Sequence, residues 1–428
     1  MKEKNKLLYD TNEKPPIATW IILAFQHIFA MFGATILVPL LVNQAAGETV
    51  LTIPVALVTS GLGTLGYILC TKGKSPVYLG SSFAFIAPTV LAFTKAGIGG
   101  YVTGILGVGV IYMFFALLIK IFGKAWIDKL LPPVVIGPMI MIIGLSLAPS
   151  AIGQIGLDSG VIDWKSLIVA LITFLVTSIV AVGAKGFLKV IPFLMGIISG
   201  YVTAVILGMV DFTSVVEASF FELPKFVLPF RDYSFSLVGF LTIAPIALVT
   251  IAEHIGDHMA LSVIINKDLI KDPGLERTVL GDGVASIIAG LLGGPANTTY
   301  GENTSVVGMS KVASVWVIGL AAVISVIMGF FGKLSAIFSS IPNPVLGGVS
   351  LLLYGFIAVN GLKVLVKNQI DFENTRNVVI SSTMLVLGLG GAILTFTSGD
   401  VSISFTGMSL AAVVGILLNL LLPKNSEL

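Results

Sequence analysis

The stretch Gly293-Gly-Pro-Ala-Asn-Thr-Thr-Tyr-Gly-Glu-Asn-Thr-Ser305 decides the fold of this chain. It lies among long apolar segments, yet it offers almost nothing apolar to lipid. Polar, non-helical backbone survives at membrane depth only where protein or a water-filled cavity surrounds it. An ionisable residue at that depth, here Glu302, is by default a candidate functional residue.

The composition is that of a membrane protein. Of the 428 residues, 56% are hydrophobic and 11% are charged, whereas soluble domains are about 25% charged. Apolar runs of about 20 residues, each long enough to cross a bilayer, recur from end to end. We therefore predict an all-α polytopic membrane protein that lies in the lipid bilayer, with no nucleic-acid partner.

The polar, lysine-rich residues 1–16 lack the apolar region and cleavage site of a signal peptide, so we expect the first apolar segment to be retained. The single cysteine, Cys70, excludes an intramolecular disulfide and has no partner set for a metal. We find no nucleotide-binding P-loop, nucleophile elbow or redox motif, so we expect neither an enzyme nor a cofactor.

The pattern of apolar segments predicts fourteen spans, of which the third and tenth are interrupted and polar. The spans are 17–42, 50–70, 76–94, 99–119, 133–150, 166–184, 190–210, 236–264, 278–293, 296–310, 312–332, 344–360, 378–397 and 403–422. This order divides the 24 lysines and arginines 19 to 5 between the two sides of the membrane. The positive-inside rule then predicts that both termini are cytoplasmic.

The spacing of proline and glycine residues indicates an internal repeat. Pro133 and Pro344 open similar segments 211 residues apart, and Gly80 and Gly301 lie in the two polar interruptions 221 residues apart. Two halves of seven spans must have opposite orientation, and inverted repeats with matching interrupted segments are typical of transporters with a site near the midplane. The alternative is that glycine and proline are simply common in membrane helices.

The two interruptions hold candidate ligand-binding residues. Gly301 allows close approach of a ligand to the backbone, and Glu302 could accept two adjacent N–H donors of a planar molecule such as a nucleobase; its alternative role is to cap the following half-helix. In the third segment, Ser82 and Phe83 would meet this stretch if both segments pair as short antiparallel strands. Phe83 and Tyr300 would then offer rings or amides to a flat ligand, although packing alone is the alternative.

Span eight holds the densest group of ionisable residues in the apolar region. Glu253 and Asp257 are four residues apart and share one helix face, while His254 and His258 share the adjacent face. Burial and like charge both favour a neutral carboxylic acid, which makes the carboxyl pair a candidate proton carrier. The alternative for Asp257 and His258 is simple solvation near the interface.

Several residues are secondary candidates, each with a structural role as the alternative. They are His27 in the first span, Asp282 in the ninth, Asn303 in the tenth and Tyr354 in the twelfth.

Longer motifs resemble a known family. They are Gln26-His-Ile-Phe-Ala-Met-Phe-Gly-Ala-Thr35, Tyr78-Leu-Gly-Ser-Ser-Phe-Ala-Phe85, Ala252-Glu-His254, Asp272-Pro-Gly-Leu275, Asn297-Thr-Thr-Tyr-Gly-Glu-Asn303 and Gly348-Val-Ser-Leu-Leu-Leu-Tyr-Gly355. From the first span to the last, the chain resembles the nucleobase–ascorbate (nucleobase:cation symporter-2) family, and within it the uracil permeases.

The resemblance implies a division into domains. Residues 1–16 would form a cytoplasmic tail, residues 17–119 and 236–332 a core domain (spans 1–4 and 8–11), and residues 133–210 and 344–422 a gate domain (spans 5–7 and 12–14). Strands in spans 3 and 10 would place uracil between the domains, and the gate domain would form a homodimer.

The resemblance also implies site residues: those matching Phe83, Glu253, Gly301 and Glu302 hold the base, and uptake is coupled to a proton. One departure concerns the histidine that these uracil transporters carry one turn after the glutamate of span 8. Asp257 occupies that position here, followed by His258, so we take Glu253, Asp257 and His258 as candidates for proton coupling. A second departure is Ser305, where the family signature has glycine.

We therefore expect a proton-coupled uracil importer of the cell membrane that works by alternating access. A xanthine or urate transporter is the alternative within the family, because Asp282 is similar to an acid of purine-transporting members. An anion channel or exchanger on the same architecture is the alternative from another class. It would favour basic or neutral groups at the interruptions, and two glutamates argue against it.

Overall fold

The fold is helical and wraps around one pair of short strands. The computed structural model describes residues 7–158, 160–229, 231–398 and 401–423, so residues 1–6 of the predicted tail lie outside it. The helices are α1 (Ile17–Ala46), α2 (Ile53–Cys70), α3 (Ile86–Phe122), α4 (Ala125–Leu130), α5 (Pro133–Ser146), α6 (Ala148–Ile155), α7 (Trp164–Gly183), α8 (Pro192–Ile206), α9 (Thr213–Glu217), α10 (Leu237–Ile243), α11 (Ala247–Ile265), α12 (Leu275–Leu292), α13 (Gly301–Ser310), α14 (Val315–Met328), α15 (Gly332–Ser339), α16 (Asn343–Lys367), α17 (Thr375–Leu389) and α18 (Gly407–Leu421).

The strands and irregular turns complete the chain. The strands are β1 (Leu79–Ser81), β2 (Asn297–Thr299), β3 (Ile393–Ser398) and β4 (Val401–Thr406), and short 3₁₀ turns cover Phe83–Phe85, Gly186–Val190 and Ala244–Ile246. A π-helical turn spans Ile270–Gly274.

Seven helical segments in the described part of the chain are long and apolar enough to cross a membrane. They are Ile17–Ala46, Ile53–Cys70, Phe83–Phe122, Pro133–Ile155, Trp164–Gly183, Leu237–Ile265 and Asn343–Lys367. Shorter apolar helices are α8, α14, α17 and α18. The segment Phe83–Phe122 is broken by non-helical backbone at Ala96 and Gly97, so it contains the fourth predicted span and the helical part of the third.

The helices pack into two groups. In the first group, α3 packs against α10 and α12, α2 packs against α12 and α14, and α1 joins α14. In the second group, α16 packs against α5, α6 and α7, α7 packs against α8, and α17 packs against α5 and α18. Few contacts join the groups, and these run mainly from α1, α10, α11 and α13.

The predicted pairing of the two interruptions is confirmed. Strands β1 and β2 are antiparallel, with Leu79 opposite Thr299 and Ser81 opposite Asn297. Backbone bonds from Tyr300 N to Tyr78 O and from Ser82 N to Ala296 O, both 3.0 Å, extend the pair at its two ends.

Hydroxyl groups from neighbouring helices satisfy the outer edges of this strand pair. The Leu79 carbonyl accepts from Ser60 Oγ at 2.6 Å and Thr64 Oγ1 at 3.2 Å, and the Leu79 amide donates to Thr64 Oγ1. On the other strand, Ser286 Oγ donates to the Asn297 carbonyl. These bonds allow extended chain to lie buried among helices, because backbone groups left unpaired in an apolar interior are costly.

The prediction of helices throughout the gate region is wrong near the C-terminus. The predicted spans 378–397 and 403–422 contain a hairpin, in which β3 pairs antiparallel with β4 from Ile393–Thr406 to Ser398–Val401. The segments 393–398 and 401–406 alternate apolar with threonine and serine around Ser-Gly-Asp, which is typical of a hairpin. The chain is therefore mostly helical rather than all-α.

The described part of the N-terminal tail is fastened to the chain between α13 and α14. Leu8 N donates to the Lys311 carbonyl and Ala313 N donates to the Tyr9 carbonyl. Outside the apolar segments, the Lys267 ammonium lies 2.6 Å from Asp10 Oδ1. Partial burial raises the pKa of the Asp10 carboxyl, but its hydrogen bonds and the charge of Lys267 outweigh burial and leave the pKa below its usual value.

Candidate functional site

A cavity of about 410 Å³ lies between the two groups of helices and contains most of the predicted site residues. Ser82, Phe83, Glu253, Asp257, Tyr300, Gly301 and Glu302 all line it. The cavity reaches the protein surface beside the exposed residues Lys189 and Asn360. A volume of this size suits a small organic molecule, which pockets of a few hundred Å³ typically enclose.

Two helix starts meet at one wall of the cavity. The chain leaves β1 into the turn Phe83–Phe85 that leads to α3, and it leaves β2 into α13, which begins at Gly301. The first amides of a helix have no partner within that helix and are available to carbonyl groups of a ligand. The antiparallel pairing of β1 and β2 therefore brings two sets of backbone donors to one place.

A close contact explains why the first strand carries glycine. A Cβ atom on Gly80 would lie 2.5 Å from the ring of Tyr300. The Tyr300 hydroxyl donates to the Ser81 carbonyl at 3.1 Å and lies 3.0 Å from Thr35 Oγ1. Tyr300 is 3% exposed, so it mainly fixes the strand pair and contributes only an edge to the cavity.

Helix α11 packs beside the strand pair and contributes two carboxyl groups to the cavity. Glu253 and Asp257 are half-buried and lie one turn apart, as their spacing predicts. Thr299 Oγ1 of β2 donates to Asp257 Oδ2 at 2.7 Å, which fastens this carboxyl to the strand pair. Thr299 was not among the predicted site residues, although its position beside Tyr300 could have indicated it.

The cavity is acidic. Glu253, Asp257 and Glu302 are its carboxyl residues, and among the described lining residues the one cation is Lys189, which lies at the mouth. Ionised carboxylates that share a small, partly dry space repel one another strongly. Such a cavity favours ligands that donate hydrogen bonds, and a bound proton relieves the repulsion.

The second group of helices supplies the remaining, largely apolar wall. It is formed by Ile140, Ile143, Val190, Pro192, Phe193, Leu353, Phe356 and Ile357. These residues cannot be predicted from the sequence, because apolar side chains that face a cavity look like those that face lipid. Tyr354, a secondary candidate, is buried beside Leu353 but does not line the cavity.

His27 and Asn303 lie behind the cavity rather than in it. Asn303 Nδ2 donates to the His27 carbonyl at 3.0 Å and lies 3.1 Å from His27 Nδ1. Both residues are buried. The pair joins α1 to the first turn of α13, so it holds the helix start that carries Gly301 and Glu302.

Asp282, His254 and His258 also lie outside the cavity. The carboxyl of Asp282 lies 2.8 Å from His254 Nδ1, and all three side chains are fully buried. His258 lies on the face of α11 that points away from Glu253, with its Nε2 atom 2.6 Å from the Tyr67 hydroxyl. The structure therefore separates two sets of titratable groups on one helix.

A second cavity, of about 560 Å³, lies at another end of the boundary between the two groups. Its polar lining includes Asn43, Gln44, Glu222, Lys225 and Asn343. None of the predicted site residues contributes to it. Among the described residues, no group of three or more histidine, cysteine, aspartate or glutamate side chains could hold a metal ion.

Comparison with known proteins gives consistent matches over most of the chain. The family model of the Permease family (xanthine/uracil permeases) matches residues 18–396. The uracil permease of Bacillus subtilis (strain 168) is 47% identical over 431 residues, which cover 99% of this chain and 97% of that protein. The uracil permease of Escherichia coli (strain K12) is 40% identical over 97% of this chain and 94% of its own length.

Solved structures share the fold at low sequence identity. The transmembrane domain of the cyanobacterium bicarbonate transporter BicA aligns with a TM-score of 0.61 at 14% identity, over 92% of this chain and 97% of that domain. The murine anion transporter Slc26a9, in its inward-facing state, aligns with a TM-score of 0.67 at 13% identity, over 96% of this chain and 69% of that protein. At such identities these likenesses concern the fold alone.

Proposed function

This chain belongs to the nucleobase:cation symporter-2 family of permeases, and we propose that it imports uracil across the cytoplasmic membrane by proton-coupled symport. The observation that carries the proposal is the acidic cavity between the two groups of helices, lined by Glu253 and Glu302. Relatives named uracil permeases match this chain over nearly its full length. The family consists of transporters, so the protein is not an enzyme.

Uracil would bind through both its donors and its acceptors. Its N–H groups would donate to the carboxylates of Glu253 and Glu302, and its carbonyls would accept from backbone amides near Phe83 and Gly301. A carboxylate can accept two parallel hydrogen bonds, and bonds to charged groups are stronger than neutral ones. The ring would lie against Phe83 and the apolar wall of the second helix group, with Tyr300 bracing the strand pair.

The proton would bind among the carboxyl groups of α11. Glu253 and Asp257 share one face, and Asp257 also accepts a hydrogen bond from Thr299. A proton taken up at either residue relieves the repulsion among the cavity acids. His258 is the third candidate for coupling, and it would act from the buried face of the same helix.

We propose the family architecture of fourteen spans in two inverted repeats for the parts of the chain that cross the membrane. Residues 17–119 and 236–332 would form the core domain, and residues 133–210 and 344–422 the gate domain. The two packed groups of helices support this division, with the correction that 393–406 forms a hairpin.

The proposed orientation places both termini in the cytoplasm, because that side holds 19 of the 24 basic residues. Lys189 belongs to it, so the cavity would open to the cytoplasm. Transport would alternate access to the site by movement of the core domain against the gate domain. The gate domain would also form the homodimer.

The position of Asp282 bears on the alternative substrates. Asp282 is the residue on which the alternative of a xanthine or urate transporter depends. It does not line the cavity, and its carboxyl group bonds to His254 instead. An anion channel or exchanger would require a site attractive to negative charge, whereas this cavity holds three carboxyl residues. Uracil therefore remains the proposed substrate.

The test is uptake of labelled uracil by cells that express the protein, in competition with an excess of other pyrimidines and purines. We expect unlabelled uracil to abolish the signal and xanthine and urate to leave it largely unchanged. Competition by xanthine or urate as strong as that by uracil would contradict the proposed substrate. Uptake that does not respond to a proton gradient would contradict the coupling.

A further inference from the structure

The buried face of α11 carries a connected chain of polar groups that the binding cavity does not use. Tyr67 of α2 lies between two of them: its hydroxyl is 2.6 Å from His258 Nε2 and 2.8 Å from Ser75 Oγ. All three side chains are fully buried. Buried polar groups are costly unless they are hydrogen-bonded to one another. An ionisable residue at this depth is by default a candidate functional residue.

The hydrogen bonds fix the tautomer of His258. Its Nδ1 atom lies 2.8 Å from the His254 carbonyl, which can only accept, so Nδ1 carries a proton. Neutral His258 therefore accepts at Nε2, and Tyr67 must donate its single proton there. In the imidazolium form, Nε2 instead donates to the Tyr67 oxygen, and Tyr67 is free to donate to Ser75. Protonation of His258 thus reverses the direction of hydrogen-bond donation among Ser75, Tyr67 and His258 without moving a heavy atom.

The other end of the network provides a negative counterpart. The rings of His254 and His258 stack with centroids 3.9 Å apart, and His254 Nδ1 lies 2.8 Å from Asp282 Oδ2. In the described part of the chain, Asp282 Oδ1 and His254 Nε2 have no hydrogen-bond partner. A carboxylate at Asp282 would compensate a positive charge on His258.

The outer end of these hydrogen-bonded groups, Ser75, is buried but adjoins a surface residue in the sequence. Ser75 directly follows Lys74, whose ammonium pairs with Asp272 at 2.7 Å and is 47% exposed. The proposed orientation makes this surface cytoplasmic. Toward the cavity, Asp282 interacts electrostatically with both Glu253 and Asp257. The titratable groups that face His258 from the elements around it are Tyr67 of α2, His254 of α11 and Asp282 of α12.

We propose that Ser75, Tyr67 and His258 form a proton path, separate from the cavity, between the cytoplasmic surface and a buried site at His258 and Asp282. For release, the His258 imidazolium gives its Nε2 proton to the Tyr67 oxygen, Tyr67 gives its own proton to Ser75, and Ser75 gives its hydroxyl proton to water. The net change is one proton from the imidazole to solution. This path rests on the proposed symport, for which it supplies a route for release of the proton into the cell.

The test uses the purified protein in liposomes, with Tyr67→Phe as the variant and Tyr101→Phe as its matched control. Tyr101 is an equally buried tyrosine whose hydroxyl donates to the Gly293 carbonyl, outside the path. Two rates are compared: uracil uptake driven by a proton gradient, and uracil exchange at equal pH on both sides. A dye inside the liposomes reports proton movement.

We expect Tyr67→Phe to lower gradient-driven uptake and proton movement by roughly a hundredfold or more, the scale on which positioned proton donors act. Exchange should stay near the wild-type rate, and so should both rates in Tyr101→Phe. Wild-type gradient-driven uptake with an unchanged pH profile in Tyr67→Phe would overturn the path, as would an equal loss of exchange in a folded variant.

A second variant keeps the test decisive if Tyr67→Phe does not fold. Ser75→Ala removes the outer hydroxyl and should reduce gradient-driven uptake more than exchange; equal rates to wild type would overturn the path. If the wild-type protein itself exchanges no uracil, the proposed function fails. If the wild type exchanges uracil and moves protons while both variants match it, only the path fails.

Discussion

The two interrupted segments, 78–85 and 297–303, share a backbone plan but differ in chemistry. Each runs as a three-residue strand into a helix start, and the two strands pair with each other. Both contribute hydroxyl and aromatic side chains to the cavity, but of their lining residues only Glu302, in the second segment, carries a carboxyl group.

The difference separates what the repeated backbone provides from what the side chains provide. Pairing of two similar segments yields buried extended chain and two sets of free amides. A ligand with unlike edges, such as a pyrimidine base with alternating N–H and C=O groups, also needs unlike side chains around it. The difference in side chains between the two segments therefore provides recognition of the base. The following variants compare one segment with the other.

The largest expected effect is on uptake in Glu302→Gln. Ser81 of the first interrupted segment also lines the cavity but carries no carboxyl group. Replacement of the carboxylate with an amide removes charged hydrogen-bond acceptors, each of which contributes about 1.5–3 kcal/mol. Uptake of labelled uracil should therefore fall by roughly a hundredfold or more. Ser81→Ala is the control and should retain most uptake, because in the described residues Ser81 Oγ bonds to nothing. Equal loss in both variants would remove the asymmetry.

Next in size is the contrast between Gly80→Ala and Gly301→Ala. A Cβ on Gly80 would lie 2.5 Å from the Tyr300 ring, whereas nothing lies within 4 Å of a Cβ on Gly301. Overpacking of this kind costs about 1–3 kcal/mol, so thermal unfolding of the purified protein should show destabilisation in Gly80→Ala alone. Gly301→Ala should instead weaken uracil binding, since the added methyl group occupies space at the cavity. An unstable Gly301→Ala with normal affinity would contradict this division.

A smaller effect is expected from Asp257→Asn, which keeps the shape of the side chain and its bond from Thr299 but cannot titrate. Uracil uptake should continue with a flattened dependence on pH. Asp268→Asn, at an exposed residue beyond the end of α11, serves as the control and should keep the wild-type profile. If Asp257→Asn also keeps it, the proton binds elsewhere.

The smallest effect concerns the bonds that hold the two segments together. Tyr300→Phe removes the hydroxyl that bonds Ser81 O and lies 3.0 Å from Thr35 Oγ1. Net hydrogen bonds contribute about 0.5–1.5 kcal/mol each, so we expect a loss of unfolding free energy of about 1–2 kcal/mol with uracil affinity nearly unchanged. The double variant with Thr35→Ala should lose less than the sum of the two, as expected for a shared bond. Strict additivity would show that the bond contributes nothing.

The sequence predicts the centre of this fold better than its edges. A polar, glycine-containing stretch cannot face lipid, so the strands at Leu79–Ser81 and Asn297–Thr299 follow from the requirement that buried backbone be paired. The hairpin of β3 and β4 was missed because its segments are apolar enough to be read as spans, although their alternating threonines and serines indicated strands.

The candidate site is also predicted only in part from the sequence. Helical spacing places Glu253 and Asp257 on one face and the histidines on the next, and the structure shows this arrangement. Spacing does not tell which face meets the cavity, because that depends on how α11 packs between β2, α12 and α13. His258 was therefore grouped with Asp257 in the sequence, while in the structure it points toward Tyr67.

The most direct test of the central claim is equilibrium binding of uracil to purified protein, measured by calorimetry for the wild type and Glu253→Ala. Glu253 lines the cavity together with residues of both interrupted segments. The account predicts saturable binding of uracil to the wild type, binding at least about a hundredfold weaker in Glu253→Ala, and wild-type binding in Glu217→Ala, at an exposed residue outside the cavity. Wild-type affinity in a folded Glu253→Ala would contradict the claim that this cavity holds the base.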